Sequence, residues 1–140
     1  MLVTDPAAIA DVQPGEEMWL HVSVVQTQEQ LARYRARGKL LPPDTAFQQR
    51  LMPHYAFSFE AEITAAIDAP ALIVAGRQDS IVGYRDAWPI LEHLPRATFA
   101  VLDRAGHALE REQSDLFNAL AAEWLGRVEE HIKGQAIDIR

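Results

Sequence analysis

Two short, nearly uninterrupted apolar runs constrain this chain more than any other feature: Ala71–Ala75 (ALIVA) and Thr98–Leu102 (TFAVL). Pro70 and Gly76 bound the first run, and Pro95 precedes the second. Apolar stretches this short, without polar alternation, fit strands covered on both faces. Each run is followed by sequence of helical character. Tyr84 to His93 is the first helix candidate. Pro89 is tolerable there if the helix proper starts near Asp86, because its missing N–H then falls in the first turn. From Ser114 onward, Leu116, Phe117, Leu120, Ala121, Trp124, Leu125 and Val128 form a wide apolar stripe at helical period. Strand, helix, strand, helix predicts a right-handed βαβα unit with parallel strands. Two strands alone make a poor parallel sheet, which needs cover on both faces and neighbours at both edges. The sheet therefore reads as cut.

The chain divides near residue 68. Upstream it reads as short helices broken by prolines. Thr27 to Gln30 has capping-box spacing and opens a helix for which Gly38 is the expected stop. Pro42, Pro43 and Asp44 open a second helix through Leu51, ended by Pro53. Ser58 caps a third, carrying Ile63, Ala66 and Ile67. Met18 to Val25 fits strand or helix equally, and its periodicity does not decide. The expected organisation is a helical region over 1–67, a strand–helix unit over 68–133 and a tail over 134–140.

With 140 residues and 49% apolar composition, the chain is one domain, or a piece of one, with a real core. A formal net charge of −7 argues against nucleic acid or an anionic membrane as partner. The absence of cysteine excludes disulfides, thiolate metal sites and a Cys nucleophile, and fits a cytoplasmic protein. The first residues lack a basic region followed by an apolar run, so no signal peptide is expected. No apolar run is long enough to span a bilayer.

In open parallel sheets, catalytic groups collect at the carboxyl ends of the strands. Asp79 lies four residues past ALIVA and His107 five past TFAVL, which brings both loops to one sheet edge. An Asp there can accept the ring N–H of a His and hold it in the tautomer needed for general-base work. Singly, each is an ordinary loop residue, Asp79 a turn or cap residue and Gly106-His107 a turn. Their order on consecutive strands gives the pair its weight.

On these residues the chain resembles the C-terminal part of the α/β-hydrolase fold. The resemblance rests on Pro70-Ala71-Leu72-Ile73-Val74, Gly76-Arg77-Gln78-Asp79, Pro95 to Leu102, Ala105-Gly106-His107 and a terminal helix near Trp124-Leu125. It implies an α/β class: a partial hydrolase core with a two-strand parallel βαβα remnant, preceded by a helical cap over residues 1–67. It implies Asp79 as triad acid and His107 as triad histidine, with no metal and no organic cofactor. In the complete enzyme it implies a small-molecule substrate, an ester, amide or relative. The family's nucleophile sits in Gly-x-Ser-x-Gly on a strained turn. None of Ser23, Ser58, Ser80 and Ser114 has glycines at both −2 and +2. The nucleophile is therefore expected outside this chain, which alone should be inactive. The alternative is a non-catalytic or split-protein module that pairs through its sheet edge with a separate N-terminal half or a second copy.

Other candidates read as structural. His21, His54, His93 and His131 lack metal-ligand spacing with carboxylates. Trp19, Tyr55, Phe57 and Phe59 serve a core or a pocket under a cap. Arg33, Arg35, Arg37 and Lys39 fan out on a solvated helix face, and Glu129-Glu130 has the same reading.

Overall fold

The computed structural model describes residues 3–40, 44–54 and 66–138. The order is β1 (Val3–Thr4), α1 (Pro6–Ala10), α2 (Glu17–Val22), β2 (Val25–Gln26), α3 (Gln28–Leu40), α4 (Thr45–Leu51), β3 (Ala71–Gly76), β4 (Ala97–Leu102), α5 (Leu109–Glu112) and α6 (Ser114–Asp138). A 3₁₀ turn at Met52–His54 follows α4, and two more, Tyr84–Ala87 and Pro89–His93, separate β3 from β4.

In the upstream half, Asp5 caps α1 by accepting the Ala7 N–H at 2.9 Å, and Pro6 occupies the first turn, where no N–H is needed. Met18 to Val25 is neither one helix nor one strand. The helix α2 ends at Val22, and Val25–Gln26 pairs in parallel with Val3–Thr4. Strands of two residues carry no readable period, so the sequence does not announce this sheet. Thr27 caps α3 weakly, its hydroxyl 3.3 Å from the Gln30 N–H. The helix continues past Gly38 to Leu40, correcting the expected stop: Gly38 is not among the residues with positive φ, so no left-handed cap forms there. Asp44 caps α4 through the Phe47 N–H at 2.9 Å, where the Pro-Pro-Asp signal placed a helix start. The helix expected from Ser58 begins outside the described residues, where Tyr55, Phe57 and Phe59 also lie, but it does not include Ala66 and Ile67, which are not helical. Ala8, Trp19 and Leu31 are fully buried, with Val12, Leu20 and Tyr34 packed around them. Trp19 is thus a core residue rather than a pocket lining, and burying Leu31 contributes roughly 2 kcal/mol.

Downstream, β3 and β4 pair in parallel from Ala71↔Ala97 to Gly76↔Leu102, as the two apolar runs predict. The helix expected over Tyr84–His93 is replaced by the two 3₁₀ turns. Pro89 has no N–H and opens the second turn, so successive i→i+3 bonds form, such as Leu91 N–H to Trp88 O and Leu94 N–H to Leu91 O. Expected burial on both strand faces also fails. Apart from Gly76 and Leu102, the strand residues are only half-buried, because among the described residues each strand has a single neighbour. One cover is α6. Trp124 Nε1 donates to Pro70 O at 2.9 Å, and Arg127 donates to Thr98 Oγ1 at 2.8 Å and Arg96 O at 3.0 Å. Phe117, Leu120, Ala121, Trp124 and Val128 are half-buried, while Leu116 and Leu125 stay exposed. α6 runs unbroken to Asp138, across residues 134–138.

Candidate functional site

The two loops leaving β3 and β4 lie side by side at their carboxyl ends. Arg77 N–H donates to Leu102 O at 2.8 Å and Gln78 N–H to Ala105 O at 3.0 Å. A Cβ at Gly76 would meet the main-chain oxygens of Gly106 and Ala105, so only glycine permits this approach. Asp79 and His107 are brought together: His107 Nδ1 lies 3.1 Å from Asp79 Oδ2. A carboxylate only accepts, so the contact requires the proton on Nδ1, which in the neutral ring leaves Nε2 free. The Asp79 side chain is 6% exposed and that of His107 44%, so the carboxylate is sheltered while the imidazole faces outward.

Asp79 is fixed by its own turn. Oδ1 accepts from the Ile81 N–H at 2.8 Å and the Val82 N–H at 3.1 Å, leaving Oδ2 for the imidazole. Burial pushes the carboxyl pKa up, but the two amides and then His107 outweigh it, holding Asp79 below its ordinary value. The pair lines a hollow of about 420 Å³ with Ile73, Val82, Asp86 and Ile90. Among the described residues no hydroxyl or thiol lines it. Ser23 is buried at the end of α2, and Ser80 is exposed next to Asp79.

The sequence did not single out Asp86, on the wall of the hollow, or Glu112. The Glu112 carboxylate is buried and accepts from the Val24 N–H, the Val25 N–H at 2.8 Å and the Gly106 N–H at 2.6 Å. No local pattern announces it, since two of its partners lie 87 and 88 residues away and all three are main-chain groups. The basic cluster of α3 divides as its helical spacing dictates. Arg35 binds Glu16 at 2.7 Å and Asp11 at 2.8 Å, Arg33 pairs with Glu29, and Arg37 lies 3.5 Å from Glu110. His131 contacts Arg96 and Gln135. Among the described residues no group of three potential ligands could hold a metal, and no helix is long and apolar enough to cross a membrane.

No protein-family model matches the sequence, and no solved structure matches it significantly. Curated proteins do match. The chain is 29% identical over 127 residues to the "Putative carbamate hydrolase RutD" of Stutzerimonas stutzeri, covering 89% of this chain and 47% of that protein. It is 32% identical over 99 residues to the protein of the same name from Agrobacterium fabrum, covering 70% of this chain and 38% of that one. A 2-hydroxy-6-oxononadienedioate/2-hydroxy-6-oxononatrienedioate hydrolase of Paraburkholderia phymatum is 36% identical over 61 residues, 44% of this chain and 21% of its own. These relatives are hydrolases of the α/β-hydrolase family, and the chain is their homologue. It spans less than half the length of each.

Proposed function

We propose that the chain is the C-terminal part of an α/β-hydrolase, with Asp79 and His107 the acid and base of a nucleophile–His–acid triad whose nucleophile lies outside it. The observation that carries this reading is the 3.1 Å contact between His107 Nδ1 and Asp79 Oδ2, with Oδ1 already committed to two amides. In the reaction, His107 Nε2 takes the proton of the attacking hydroxyl and returns it to the leaving group, while Asp79 stabilises the imidazolium. The substrate we assign is a small molecule with an electrophilic carbonyl carbon, an ester, amide or carbamate. The carbamate hydrolase naming of two relatives supports this class. Residues 1–67 act as the cap over the pocket.

The test is a fluorophosphonate probe read by intact mass. The 140-residue chain should gain no adduct and show no esterolysis beyond its His107→Ala variant. An N-terminally extended protein carrying Gly-x-Ser-x-Gly should be labelled, and should lose turnover by orders of magnitude in Asp79→Ala and His107→Ala. Labelling of the 140-residue chain itself overturns the assignment of the nucleophile.

The half-exposed strands support a second reading, assembly through the sheet edge. Trp88 is 66% exposed beside β4, where its ring meets Phe99 edge-on with centroids 5.8 Å apart. Sedimentation that finds only monomer across micromolar concentrations removes pairing between copies.

A further inference from the structure

We infer that Glu112 is the positioning residue of His107, holding the loop that aims the imidazole at Asp79; the inference rests on the triad reading above. Glu112 is 8% exposed and forms no ion pair among the described residues. A buried carboxylate without a counter-ion is costly unless N–H groups converge on it. Here three do, two from the segment after α2 and one from the His107 loop. One oxygen takes the amides of Val24 and Val25, and the other takes that of Gly106, the residue before His107. The His107 N–H in turn donates to Val22 O at 3.1 Å, so consecutive peptides of the loop are tied to the segment 22–25.

The seam is close. A Cβ at Gly106 would stand 2.9 Å from Val22 O and 3.1 Å from Val24 Cγ1. The Asp79 loop is tied to the same turn by Gln78 N–H and Ala105 O. Loosening Gly106 therefore moves the histidine against an acid fixed by its own turn. Triad geometry tolerates roughly half an ångström of such movement. Glu112 touches no reacting atom. Its contribution is the angle and distance of the Nδ1–H···Oδ2 bond.

The experiment uses the 140-residue chain with ¹⁵N-labelled histidine, reading the His107 tautomer from ring ¹⁵N shifts and the fold from backbone amide dispersion. In the wild type, Nδ1–H should predominate, against the Nε2–H form that a free imidazole favours. Asp79→Ala should abolish that preference. Glu112→Gln, which keeps one acceptor oxygen, should stay folded and turn Nδ1–H into the minor form. A folded Glu112→Gln chain with the wild-type tautomer overturns the inference while leaving the Asp79–His107 pair intact. An unchanged tautomer in Asp79→Ala sinks the pair itself, and the inference with it. Should Glu112→Gln not fold, amide exchange of the wild type decides. The amides of Val24, Val25, Gly106 and His107 should exchange together, roughly tenfold or more slower than that of Arg104. Free exchange at Gly106 overturns the inference.

Discussion

Replacing Gly76 by alanine tests the closeness of the two loops directly. The added methyl would stand 2.6 Å from Ala105 O and 2.9 Å from Ala105 C, and closer still to Gly106 O. Gly76 is not at positive φ, so the substitution adds no backbone strain of its own, and the effect is steric. Overpacking costs about 1–3 kcal/mol where side chains can yield. Here the neighbours are main chain in a turn held by Gln78 N–H, so the upper end applies, about 3 kcal/mol. With a urea slope of about 2 kcal/mol/M, the unfolding midpoint should fall by about 1.5 M. The control is Gly126→Ala in the middle of α6, where an added Cβ meets nothing within 4 Å. There, relief of glycine's helix penalty should raise stability by about 0.5–1 kcal/mol. The assay is urea unfolding followed by circular dichroism, with tryptophan fluorescence as second probe. A Gly76→Ala midpoint within about 0.3 M of wild type would refute the reasoning. The carbonyls of Ala105 and Gly106 would then not lie where the tight turn puts them.

Arg35 holds the Glu16 carboxyl down to about 2 from an ordinary 4.5, so a carboxyl titration should find Glu16 near 2 and, in Arg35→Met, back toward its ordinary value. A lowered folded-state pKa makes that contribution present above about 4.5 and lost as pH falls through about 2; unchanged acid stability in Arg35→Met would refute it. Asp79 is also lowered, so the stability gap between wild type and Asp79→Ala should be full above its ordinary 3.8 and close as pH falls below it. At neutral pH the lost amide bonds of that turn should cost roughly 1–2 kcal/mol, measured by urea unfolding. Trp124→Phe removes the donor to Pro70 O and should cost about 1 kcal/mol, with faster amide exchange along α6 facing β3.

What could be read from the sequence was local. ALIVA and TFAVL are bounded by Pro70, Gly76 and Pro95 and carry their strand identity in composition, and their parallel pairing follows from continuous apolar runs separated by a crossover segment. Asp44 and Asp5 cap by an oxygen placed two or three residues from its donor, although only the Asp44 helix was anticipated. The proximity of Asp79 and His107 followed from topology, because parallel strands deliver their outgoing loops to one edge. The segment Tyr84–His93 forms 3₁₀ turns instead of a helix because Pro89 interrupts the i→i+4 ladder that its composition otherwise suits. Gly38 does not stop α3, because a glycine ends a helix only where the backbone turns left-handed. Glu112 could not be read, because its partners are peptide groups, and a peptide N–H looks the same at every residue except proline.

That last property has a consequence for sequence drift. A carboxylate that grips main-chain amides places no demand on the side chains that bear them. Positions 24 and 25 can exchange valine for other residues of similar bulk without loosening the grip on the His107 loop. Proline is the exception at 24, 25 and 106, since it removes the donor. The 106 position is narrower still, because a Cβ there approaches Val22 O to 2.9 Å. A saturation library across these positions should therefore tolerate many replacements at 24 and 25, reject proline at both, and accept almost nothing but glycine at 106.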